Sequence, residues 1–272
     1  SRNPLVSFPC THTVEPDRKT AKRIHKSVRA RYTELAQRRS RLQRLDDLQH
    51  RLQLSRQLRT KGHRVQVRSK LVRGWKAEDT ENFIVIYHTP DQPLIRRLIA
   101  DLEAIRKEYV RLFPPVGEVT AVSTVRVCKN RAEYLAYGGA ARSAGYWNSG
   151  AEELVFFDAA ADNKRERSAG RDNTLSVLYH EAFHQYIHYS AGELPPHAWF
   201  NEGPGDFFAG AQIAGGKLKR IGPFAWRART IQRAVLSNET FAWDDFLRYE
   251  KPSYYLPDRV ELCYAQGWSM IY

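Results

Sequence analysis

His180-Glu181-Ala182-Phe183-His184 is the stretch from which the fold is read. It lies in a segment of helical character, Thr174 to Tyr189. Residues four apart on a helix share nearly one face, one turn apart. Two imidazoles at that spacing can turn their nitrogens onto one metal ion. The Glu between them can take a proton from a water held at the metal. Such pentads also arise by chance in helices, so the rest of the chain has to supply what a metal site needs.

A catalytic zinc site usually takes three protein ligands and keeps a fourth position open. The downstream candidates for the third ligand are His188, His197, Glu202 and Asp206. His188 continues the helical series but lies about 12 Å along the axis from His180, too far to share an ion. It reads as a structural histidine. Gly192 and Pro195-Pro196 stop the helix, and a second helix begins near His197 or Trp199 and runs to about Ile213. Glu202 opens that helix within Trp199-Phe200-Asn201-Glu202-Gly203-Pro204-Gly205-Asp206. The short connection lets it fold back and present Glu202 to His180 and His184. Asp206, one turn on, can accept the free N–H of a ligating histidine. The two glycines beside Pro204 are expected to loosen the placement of Asp206.

The pair His180-Glu181-x-x-His184 and Asn201-Glu202-x-x-x-Asp206 resembles the gluzincin metallopeptidases, which include thermolysin-like proteases and leukotriene-hydrolase-type aminopeptidases. The form Trp199-x-x-Glu202-Gly203 followed by Phe207-Phe208 is similar to a bacterial peptidase-MA-like family. The Ser143–Trp147 loop and the Leu154–Asp158 strand also sit where that family has them. The resemblance covers roughly residues 82–272. It implies a zincin-like fold, a peptide or protein substrate, and Zn2+ held by His180, His184 and Glu202. It further implies Glu181 as general base, Asp206 behind a ligand histidine, and a tyrosine that stabilises the oxyanion. Tyr264 stands at the matching distance after Glu202, with Tyr254 and Tyr255 as rivals. No Gly-x-Met-x-Asn-like motif is present, so aminopeptidase specificity is not implied. In zincins an edge strand beside the metal helix holds the substrate backbone, and Glu153–Asp158 is expected to be that strand.

The chain around this core reads as α+β. Phe83–His88, Val119–Cys128 and Glu153–Asp158 have strand patterns. Leu94–Phe113 is an amphipathic helix ended by Pro114-Pro115, and Asn130 caps a short helix to Tyr137. Asp172, Asn173 or Thr174 is expected to cap the His180 helix after a charged loop from Ala159 to Arg171. Residues 217–257 read as helical pieces with Trp226 and Trp243 as core anchors, and a last helix begins near Pro257-Asp258. Upstream, Arg64–Arg68 alternates like a short strand, and Lys76–Glu81 reads as a polar linker. The expected domains are a basic, mainly helical extension over 1–80 and a zincin-like domain over 81–272.

The formal charge of +13 is uneven. Residues 1–76 carry 21 Lys and Arg against 5 Asp and Glu, a net +16, whereas residues 77–272 carry 22 against 25, a net −3. Basicity therefore belongs to the extension. Its apolar residues from Ile24 to Leu52 recur at steps of three, four and seven, which indicates a long amphipathic helix from Thr20 to Leu58. It can pack, or meet an acidic partner; it has no recognisable nucleic-acid-binding fold. A metal-binding scaffold without activity and a polyanion binder acting through this helix are the alternative functions. Cys10, Cys128 and Cys263 exclude a dense disulfide framework but allow one bridge. No run of eighteen apolar residues exists to span a membrane. The chain opens at Ser1 and ends at Tyr272 within a helical pattern, so the natural protein is expected to continue, with a secreted or periplasmic location favoured slightly over a cytoplasmic one.

Overall fold

The computed structural model describes residues 62–272 apart from 116, 118, 120, 142, 163–166 and 193–195, together with Lys19, Lys22 and Lys26. The expected Thr20–Leu58 helix and Cys10 lie outside the described residues, save for those lysines, which are helical and exposed. The chain divides into Ser1–Ser55 and Arg56–Tyr272, and the second unit carries the site.

That unit is α+β, built on a five-stranded mixed sheet. Helix α1 (62–69) leads into strands β1 (Lys76–Asp79) and β2 (Phe83–Tyr87). Helix α2 (Gln92–Leu112), β3 (Ser123–Cys128), helix α3 (Arg131–Ala136), β4 (Gly145–Asn148) and β5 (Glu153–Phe157) follow. The sheet order is β1-β2-β3-β5-β4. The central β2, β3 and β5 are parallel, and β1 and β4 run antiparallel to their neighbours. The parallel strands are buried on both faces, which is why Phe83-Ile84-Val85-Ile86-Tyr87 is continuously apolar.

A short helix α4 (Ala159–Asp162) precedes α5 (Arg167–Ser190), which carries His180 and His184. α5 begins before the residues expected to cap it. Thr174 lies inside it, and its Oγ1 accepts from Ala159 N at 3.1 Å, pinning the helix to the end of β5. One sheet face, with Val85, Tyr87, Val125, Val127, Leu154 and Phe156, packs against Leu98, Leu102 and Ile105 of α2 and Leu178, Ala182 and Phe183 of α5. Three tyrosines lock the two helices. Tyr109 donates to Tyr179 O at 2.5 Å, Tyr179 to Asp101 Oδ2 at 2.6 Å, and Tyr186 to Phe113 O at 2.6 Å. The metal-motif helix is thus fixed along its length before any metal is considered.

Asp91 caps α2 by accepting from Leu94 N at 3.1 Å, and Asn130 caps α3 by accepting from Glu133 N at 2.9 Å. After Gly192, in the left-handed region at φ +71°, comes α6 (Ala198–Ala209). A hairpin of β6 (Ala211–Ala214) and β7 (Lys217–Ile221) follows, then α7 (Ala225–Leu236), α8 (Trp243–Phe246), α9 (Lys251–Tyr254) and α10 (Val260–Ile271).

Several expectations are corrected. Residues 64–68 are helical. Lys76–Asp79, read as linker, is an edge strand whose mostly exposed side chains give no apolar signal. Tyr146 and Trp147 lie on β4 rather than in a loop. Gly215 and Gly216, at φ +60° and +66°, form a two-residue hairpin turn, so the second helix ends at Ala209 and residues 217–221 are a strand. Trp226 and Trp243 are 48% and 40% exposed and anchor no core. Cys128 and Cys263 are free and buried, so no bridge joins them. No helix among the described residues is long and apolar enough to cross a membrane.

Candidate metal centre

His180 and His184 project from one face of α5, with ring centroids 4.6 Å apart. α6 crosses them closely because its inner residues are glycines. A Cβ on Gly205 would lie 2.9 Å from His180 Nδ1, and a Cβ on Gly203 would lie 2.6 Å from Gly267 O of α10. The Gly203-Pro204-Gly205 run therefore does not loosen Asp206, as the sequence suggests. It stays helical and buried, and its missing side chains let α6 approach both neighbours.

The approach brings Glu202 between the two histidines. Its Oε2 lies 3.1 Å from His180 Nε2 and 3.5 Å from His184 Nε2, in a residue only 3% exposed. Ligands placed tetrahedrally about 2.0–2.1 Å from zinc stand about 3.3 Å from one another. The two distances bracket that value, and two imidazole nitrogens with one carboxylate are a donor set that zinc accepts, as iron(II) does. The residues present therefore fit the ion that the motif implies. The Glu181 carboxylate, within 4.8 Å of ligand atoms on both histidines, makes no hydrogen bond to a described residue.

Behind the first contacts lies a second layer. His180 Nδ1 meets Asp206 Oδ1 at 3.1 Å, which leaves Nε2 to face Glu202. Asp206 is held in turn by Arg227 of α7, whose Nε donates to Oδ2 at 2.5 Å. Arg227 is itself buried, with its guanidinium 4.4 Å from the Tyr264 ring and 4.5 Å from the Trp226 ring. Among the described residues no comparable acceptor stands behind His184, whose buried Nδ1 has no hydrogen-bond partner there.

Charge follows geometry. Burial alone would depress the His180 imidazolium, but hydrogen bonds to Asp206 and Glu202 outweigh it and hold the group well above its ordinary value. Burial would raise Glu202, but the charge of His184 and hydrogen bonds from both histidines keep it well below the ordinary carboxylate range.

Of the three candidate tyrosines, Tyr255 donates its hydroxyl to Glu202 Oε1, beside Asn201 Nδ2 at 3.0 Å. Tyr264 stacks near His180, with ring centroids 6.3 Å apart. Burial and the Glu202 charge raise both phenols, so both stay protonated donors. Tyr254 is tied to Cys263 O at 2.9 Å and is fully buried. His188 lies apart, its ring 5.7 Å from that of Trp147, and His197 sits at the start of α6.

The strand beside α5 at the sheet edge is β4, not β5. Glu153–Phe157 is interior, paired on both sides, whereas β4 pairs on one side only among the described residues. Gly145 admits it to α5, since a Cβ there would lie 2.8 Å from Val177. Sequence reasoning also missed Arg227. No fixed spacing links it to the motif; a charge set among Phe224, Ala225 and Trp226 is the only local sign.

No protein-family model matches this chain, and no curated protein matches it significantly.

Proposed function

We propose that this unit is a zinc-dependent metallopeptidase of gluzincin type that hydrolyses peptide bonds in peptides or proteins. The observation that carries the reading is the convergence of His180 Nε2, His184 Nε2 and Glu202 Oε2, with the Glu181 carboxylate beside them. Zinc bound by these three residues would acidify a water toward a pKa of about 7 and polarise the scissile carbonyl. Glu181 takes the proton of the attacking water and returns it to the leaving amine. Tyr264, or Tyr255 once its hydroxyl turns away from Glu202, donates a hydrogen bond to the developing oxyanion. The unpaired edge of β4 offers backbone N–H and C=O groups to an extended substrate.

The experiment is a quenched-peptide assay of the zinc-loaded wild type and Glu181→Gln. The variant should keep zinc and lose turnover by at least about a hundredfold. Undiminished hydrolysis by a homogeneous variant rejects the general base, and a wild type that holds zinc but cleaves nothing in a broad peptide library rejects the peptidase.

A further inference from the structure

The other face of the sheet, away from α5, is not closed by an apolar core throughout. β3 turns Thr124 and Arg126 to it and β5 turns Glu153, cross-strand neighbours at Thr124↔Glu153 and Ile86↔Arg126. Helix α1 stands over this face. It is held by polar contacts: His63 Nε2 to Thr124 Oγ1 at 2.9 Å, and Arg64 to Thr80 O at 2.7 Å. His63, Gln66 and Val67, at i, i+3 and i+4 on one face of α1, line the space, with Lys70 in the turn just after it. Between helix and sheet is a cavity of about 1100 Å³, the size of a generous small-molecule site.

Arg126 is the built feature of that cavity. Its guanidinium lies 4.7 Å from the Trp75 ring and 4.2 Å from the Tyr137 ring. Its Nε donates to Glu153 Oε1 at 2.9 Å, and Tyr137 donates to Glu153 Oε2 at 2.6 Å. Neither terminal nitrogen has a hydrogen-bond partner among the described residues. The fork is thus oriented in advance, with its outer N–H groups unmatched, and little ordering remains to be lost on binding. That edge matches a carboxylate in bidentate fashion. Glu133, Glu152 and Glu153 also line the cavity and disfavour a dianion such as phosphate. Val67, Leu71, Val72 and Ile86 offer apolar wall.

We propose that this cavity binds an apolar molecule ending in a single carboxylate, seated on the terminal nitrogens of Arg126. Two sources share that chemistry: a free aliphatic carboxylic acid and the C-terminus of an apolar peptide. The site is independent of the metal centre, which lies on the opposite face of the sheet.

Calorimetric titration of the full chain with octanoate, with N-acetyl-Leu-Leu and with the C-terminal amide of that dipeptide tests it. Octanoate binding alone identifies a free acid as the ligand, and acetyl-dipeptide binding alone identifies a chain end; either supports the site. Arg126→Met should weaken the bound carboxylate by about tenfold or more. Because that change strands Glu153, Val67→Trp provides a second route: it narrows the cavity at the α1 wall, and it should weaken binding while the thermal midpoint holds. Binding of the amide as tight as the acid, binding unchanged in Val67→Trp, or no binding of any probe at millimolar concentration overturns the proposal.

Discussion

Asp206 is the residue on which the candidate centre turns. It accepts from His180 on one side and holds the buried Arg227 on the other. Removing it in Asp206→Ala leaves Arg227 uncompensated and His180 free to rotate. Loss of one partner from a buried pair costs about 3–5 kcal/mol, and loss of the acceptor behind a ligand histidine weakens metal binding roughly 10–100-fold. Thermal denaturation and a competitive zinc titration should show both losses; an unchanged zinc affinity would separate Asp206 from the metal. The titrations carry a sign as well. His180 is raised above its ordinary 6.5, so in the metal-free protein its contribution is complete below that pH and fades as pH rises through the raised value. Glu202 is held below its ordinary 4.5, so its contribution is complete above that pH and fades as pH falls through the lowered value. The stability these two supply without metal is therefore greatest between those limits and declines on the alkaline side. Zinc must displace the His180 proton, so the rise in thermal midpoint on adding zinc should grow from pH 6 to pH 8. A rise that shrinks over that interval contradicts histidine ligation.

At the scale of elements, α6 is placed by what its glycines lack. Gly203→Ala meets the backbone oxygen of Gly267 and should cost about 1–3 kcal/mol of stability by overpacking the α6–α10 contact. Gly205→Ala meets the His180 ring instead, so it should lower zinc affinity more than thermal stability. The reverse ranking in paired denaturation and zinc titrations contradicts this division of roles. The same elements show what a sequence discloses. Phe83–Tyr87 was legible because burial on both faces leaves an unbroken apolar run, Gln92–Leu112 because burial of one face imposes a helical period, and Asn130 because an N-cap has its own chemistry. His180, His184 and Glu202 were legible because each pair is linked by helix geometry or a short connection. β1 was hidden because a polar edge strand has no buried face to report. β4 was hidden because Gly145 reads as a loop signal, although it serves to admit Val177. The second helix was expected to run to about Ile213 but ends at Ala209, because Gly215-Gly216 closes a hairpin rather than a helix. Arg227 and Tyr255 reach the site only through tertiary folding of α7 and the segment after α9, which no local pattern encodes.

Across the whole unit, the sheet separates two chemistries. α5 and α6 hold the acid and imidazole cluster on one face, and α1 covers the carboxylate-sized fork of Arg126 on the other. The buried thiols of Cys128 and Cys263, pushed up to about 12 by burial, take part in neither. Residues 1–76 carry a net +16 and residues 77–272 a net −3, so salt should affect contacts of the basic stretch far more than the proposed hydrolysis. The proposed chemistry rests on His180, His184 and Glu202 as a three-ligand zinc site. Elemental analysis of zinc per chain, on the wild type and Glu202→Ala after dialysis at neutral pH, tests it most directly. One zinc per chain is expected in the wild type and a small fraction of that in the variant. No zinc in the reloaded wild type, or equal zinc in both proteins, would contradict it.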